Sequence, residues 1–185
     1  MNAVTWAGLG VAWLGAAILV LSDARRGIAV GLLLAALGLA IIRVAERDAI
    51  DAGLLLAGGL LAVIVGLRRN QHRGWGLLQA GSTPRIVLSV VVGGAALWLS
   101  VGMLDGPGEP QARAAAAIVI ALGAGRLLGV HDPRAALAAA SMIALGVGTI
   151  AALASTDETG ALIGSVAAVA LNLIPTSADS EVKGG

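Results

Sequence analysis

Apolar runs fill this chain almost from end to end, and short charged knots separate them. A helix on the surface of a soluble protein shows one apolar stripe and one polar face. These runs are apolar on all sides, and lipid is the solvent that accepts such helices. Hydrophobic residues make up 58% of the sequence, which leaves too little polar surface for a soluble exterior. The expected fold class is therefore all-α: a polytopic integral membrane helix bundle.

Seven runs are read, at residues 3–21, 27–42, 52–67, 86–104, 114–130, 135–154 and 160–174. The first is about 28 Å long at 1.5 Å per residue, enough for the hydrocarbon core. No basic region precedes it and no cleavage site follows, so it is expected to be a retained first span. All five prolines (84, 107, 110, 133 and 175) fall at run boundaries, as helix-breaking residues should. The last run is the shortest and contains Asn172. Seven short transmembrane helices are expected, with six plus a re-entrant segment as the alternative. The whole of 1–175 reads as one transmembrane domain, and 176–185 as a short polar cytoplasmic tail.

Orientation follows from the basic residues of the connections. With the N-terminus outside, nine lie on the cytoplasmic side: Arg25, Arg26, Arg68, Arg69, Arg73, Arg85, Arg126, Arg134 and Lys183. Three lie outside: Arg43, Arg47 and Arg113. The expectation is a multi-pass cell-membrane protein with its N-terminus outside and its C-terminus cytoplasmic. Arg outnumbers Lys 11 to 1 amid abundant Ala, Gly, Leu and Val, a composition that resembles the output of a GC-rich prokaryotic genome.

The inventory for chemistry is thin. The chain has no cysteine, so disulfides, thiolate metal sites and thiol catalysis are excluded. Net charge is +1, with no basic field for nucleic acid. No run carries an ionisable residue near its middle, where one would mark an ion path or proton relay. Arg43, Asp51 and Arg126 lie within about a turn of run ends and are expected to snorkel to the headgroups. His72 and His131 lack the company a metal site needs. Ser89, Ser100, Ser141 and Ser165 lack a basic partner, so interhelical hydrogen bonding is their expected role. No catalytic residue, cofactor or metal ligand is assigned, and an enzyme is not expected.

The densest polar feature is 43–51. If the second helix continues past the lipid, Arg43, Glu46, Arg47 and Asp51 lie at i, i+3, i+4 and i+8 on one face, with Arg47 and Asp51 an i,i+4 pair. This face is the candidate partner-docking or gating cluster; the alternative is a solvated, salt-bridged helix end. The stretch from Arg68 through Trp75 reads as topogenic charge followed by an interfacial anchor.

A faint repeat is also present. Ala36-Leu37-Gly38 with Arg43 and Asp48 resembles Ala121-Leu122-Gly123 with Arg126 and Asp132. Inverted repeats of this kind are a common transporter plan. Four GxxxG matches (27/31, 102/106, 125/129 and 160/164) occur among 27 glycines, about the number chance gives, so they carry no weight here. Two functions are left in competition. One is a non-catalytic membrane subunit or scaffold packing against lipid and other membrane subunits, or against itself. The other is a small-solute transporter or channel built from inverted three-helix repeats.

Overall fold

The computed structural model describes residues 3–22, 24–68, 110–129, 133–154 and 158–173. The run at 86–104, the polar stretch 69–85, both histidines, Ser89, Ser100, Trp75 and the tail 176–185 lie outside the described residues. Within them the chain is all-helical. The helices are α1 (Ala3–Leu21), α2 (Arg25–Ala45), α3 (Ala49–Arg68), α4 (Pro110–Gly129), α5 (Pro133–Ala154) and α6 (Thr159–Leu173).

α2, α3, α4 and α5 are each longer than the apolar run beneath them, because polar residues or proline extend their ends, whereas α1 matches its run. Arg25 and Arg26 begin α2, and Pro110 and Pro133 open α4 and α5. Proline suits a first helical position, where its missing N–H has no partner to lose and its φ is already set. Among the described residues four stretches are long and apolar enough to cross a membrane: α1, α2, α3 and residues 135–154 of α5. The six described helices do not by themselves establish a seven-helix count. α6, at 15 residues, spans only about 22 Å.

The helices form a closed ring in the order α1, α2, α3, α6, α5, α4 and back to α1, with α2 also touching α4 and α5 across it. Side-chain neighbours give their directions. Gly8 faces Gly38 and Ile42 while Gly31 meets Leu19, so α1 and α2 are antiparallel. Arg43 of α2 meets Asp51 of α3, again antiparallel. Ser165 reaches Leu54 and Asn172 lies beside Gly66, so α6 runs parallel to α3. Arg126 reaches Val20 and Ser22, so α4 runs parallel to α1.

The ring is drawn tight by small residues. A Cβ placed on Gly38 would sit 2.6 Å from Ala12 Cα and 2.7 Å from Ala12 Cβ. On the other side of the ring Gly148 and Gly164 meet backbone to backbone, with Gly160 against Ala152. Lipid offers no hydrophobic drive between helices, so close backbone approach and dispersion hold such pairs together. At mid-depth Gly59 of α3 rests on Ala36 of α2 and near Leu145 of α5. Leu39, Leu55, Met142 and Leu145 are fully buried around that crossing. Large apolar residues including Leu60, Leu61, Ile163 and Val166 face outward, as a lipid-facing surface requires.

Candidate functional site

The candidate cluster sits where α2 turns into α3. α2 does not run on through the cluster as one helix. It stops at Ala45, and a three-residue turn leads into Ala49. Arg47 takes a left-handed conformation, φ 68°, the only positive φ at a non-glycine residue among those described. The Asp48 N–H donates to Arg43 O and the Arg47 N–H to Val44 O, both at 3.0 Å. These two bonds are the Schellman closure, in which a left-handed residue just past the helix lets the chain satisfy its last carbonyls. Asp48 then caps α3: its Oδ1 accepts the Asp51 N–H at 3.2 Å, three residues into the new helix.

This turn rearranges the expected face. Arg47 and Asp51 do not pair, because they stand on opposite sides of a helix break, and the Arg47 side chain is exposed. Arg43 takes its place. Its Nη2 donates to Asp51 Oδ2 at 2.5 Å and to Asp48 Oδ2 at 2.6 Å, and its Nη1 to Glu46 Oε2 at 2.7 Å. Of the four residues singled out in the sequence, Arg43, Glu46 and Asp51 come together and Arg47 does not. Asp48 is the member that sequence reasoning missed. Its signal was present: an Asp shortly before an apolar run, with an acid three residues on, is a helix-start signature.

Nor is the cluster a solvated helix end. Arg43 is 6% exposed and Asp51 is 1% exposed. Neither snorkels to the headgroups, because each finds its countercharge inside the bundle. Such a pair gains strength from its low-dielectric surroundings, which also raise the cost of removing one partner. Arg43 Nε and Asp51 Oδ1 are buried with no hydrogen-bond partner. With all three carboxylates turned onto one guanidinium, the arrangement acts as an ionic clamp between two spans. Among the described residues no group of three His, Asp or Glu is placed to hold a metal ion.

A second buried arginine stands at the other end of the bundle. Arg126, 4% exposed, donates to Val20 O at 3.3 Å and Ser22 O at 3.1 Å. It too stays inside, because the last carbonyls of α1 supply acceptors and a negative dipole end. The two Ala-Leu-Gly stretches occupy different settings. Gly38 packs on α1, whereas Gly123 packs on Ala139 and Ile143 of α5.

The hydroxyls inside the ring go to backbone carbonyls. Ser165 donates to Leu54 O at 2.8 Å, tying α6 to α3. Ser141 reaches Ala168 O at 3.0 Å and accepts from Asn172 Nδ2 at 2.7 Å, tying α5 to α6. Thr149 bonds back to Leu145 O within α5. The interhelical role expected for Ser141 and Ser165 is the one found.

Compared with known proteins, no family model, no curated protein and no solved structure matches this chain.

Proposed function

We propose that this chain is a non-catalytic integral membrane subunit or scaffold that packs within a larger membrane assembly. The observation that carries this reading is the commitment of the interior. At mid-depth α2, α3 and α5 meet through Ala36, Gly59 and Leu145, and Ser141, Thr149 and Ser165 spend their hydroxyls on helix carbonyls. A carrier needs polar groups turned toward a cavity at that depth. Among the described residues Ser141 and Ser165 fasten one helix to another, and Thr149 bonds back within its own helix.

The membrane topology is part of the proposal. Arg68 and Pro110 lie at opposite ends of the bundle, because α3 and α4 both run in the direction of α1. The apolar run at 86–104 is taken as the remaining span of this proposal on its length and composition alone. Arg25, Arg26, Arg68, Arg126 and Arg134 belong to one end of the ring; Arg43, Arg47 and Arg113 belong to the other, together with Glu46, Asp48, Asp51 and Glu158. The basic end is assigned to the cytoplasm of a cell-membrane protein, which leaves the N-terminus outside and the C-terminus inside. In this cysteine-free chain, single cysteines at Asn2, Asn70 and Ser180 report it directly. An impermeant reagent on intact cells should label Asn2 only.

The transporter reading has one observation in its favour. α2 and α4 run in opposite directions, as do α3 and α5, which is the relation inverted repeats require. The unlike surroundings of Gly38 and Gly123 weigh against it. The test is purification from native membranes in a mild detergent followed by mass measurement. A reproducible membrane-protein companion supports the subunit reading. A lone chain that moves a solute in vesicles overturns it.

A further inference from the structure

The exposed residue at the tip of the α2–α3 turn takes no part in the clamp beneath it. Arg47 occupies a left-handed position where glycine is the residue of least strain. Its guanidinium makes no hydrogen bond or ion pair among the described residues, because Arg43 already holds Glu46, Asp48 and Asp51. Val44 and Ile50 flank it, 57% and 60% exposed. The 21 residues of α2 reach about 31 Å, so in a membrane-spanning bundle the turn sits just past the hydrocarbon, at phosphate depth. Next to Arg47 the Asp48 carboxylate remains 37% exposed. One face of the turn thus offers a cation with no partner among the described residues, a partly exposed anion beside it, and two apolar residues below.

We propose that this turn binds the headgroup of a zwitterionic phospholipid carrying a primary ammonium. The phosphate lies on Arg47, the ammonium on Asp48, and the acyl chains against Val44 and Ile50. A simple anionic lipid fits less well, because Glu46, Asp48 and Asp51 crowd the same turn with negative charge. The proposal rests on the membrane reading above, and its test separates the two.

The full-length protein is reconstituted in phosphatidylcholine vesicles doped equally with phosphatidylethanolamine or phosphatidylglycerol. Retained lipid is then read by native mass spectrometry. Wild type should keep phosphatidylethanolamine over both others. Arg47→Gly relieves the backbone and should fold at least as well, yet lose about fivefold in that retention, the weight of one basic side chain at a lipid surface. Asp48→Asn keeps a capping residue but should erase the preference for ethanolamine over choline. Arg47→Lys should retain most of the binding.

Preferential retention of phosphatidylglycerol would overturn the proposal, as would equal retention by wild type and Arg47→Gly. Loss of a bound protein or second copy from Arg47→Gly, with lipid unchanged, would overturn it in favour of a protein contact. Failure of the wild-type chain to insert into any vesicle would overturn the membrane reading itself.

Discussion

Substituting Gly38 with alanine tests whether the α1–α2 seam holds by backbone contact. The new Cβ would stand 2.6 Å from Ala12 Cα and 2.7 Å from Ala12 Cβ. Carbon atoms settle at about 3.5–4.0 Å, so the two helices must part by about 1 Å at this level. No flexible side-chain end absorbs that shift, because the obstructing atoms belong to the Ala12 main chain and its Cβ. Forcing added volume into such a contact costs about 1–3 kcal/mol. The gain in intrinsic helix preference for alanine over glycine, at most about 1 kcal/mol, does not offset it. Gly53→Ala is the matched control: it lies within α3, and a Cβ there meets nothing within 4 Å. Reversible unfolding of both variants in mixed micelles, read by circular dichroism, gives the comparison. Gly38→Ala should be about 1–3 kcal/mol less stable than Gly53→Ala, and Gly53→Ala should lie within about 1 kcal/mol of wild type. Equal stability of the two would refute the seam as described.

Other substitutions report on the remaining contacts. Arg47→Gly should raise stability in detergent by about 0.5–1 kcal/mol, seen as a higher melting temperature, because the left-handed position no longer carries a Cβ. Asp51→Ala should cost about 1.5–3 kcal/mol, since it removes a charged hydrogen bond from the buried Arg43. Asp48→Asn, at a half-exposed site where the cap is kept, should cost no more than about 1 kcal/mol in the same unfolding assay. A double-mutant cycle of Ser141→Ala with Asn172→Leu should give a coupling of about 0.6 kcal/mol, the usual size for a hydrogen bond between membrane helices.

Much of the secondary structure was legible because in lipid every backbone group must be satisfied within its own helix. An apolar run bounded by charge or proline therefore has one solution. The run at 3–21 became α1 with the same limits, and the prolines at 110 and 133 became the first residues of α4 and α5. Interhelical use of Ser141 and Ser165 followed from the same rule, since a hydroxyl in a span has only carbonyls to bond. The charged turn was harder. Spacing placed Arg47 and Asp51 on one helix face, but that argument holds only while the helix continues. The left-handed residue that ends α2 is an arginine, and sequence reasoning looks for glycine at such a stop. The hub therefore shifted by one turn, to Arg43.

What the sequence by itself determined is the all-helical class, the approximate place of each described helix and the side chains that must find partners. Which partners they find was decided by tertiary structure. The glycine pair at 160 and 164 looks no different in sequence from Gly125, yet the pair meets the α5 backbone while Gly125 faces open space. Arg43, Asp51 and Arg126 all read as residues reaching for the headgroups, yet each is buried against acceptors or donors brought in by a neighbouring helix. The physical reason is common to both. Along one apolar helix, side-chain periodicity gives no strong face, so rotation and neighbour are fixed only when backbones approach closely enough for small residues and buried charges to choose between them.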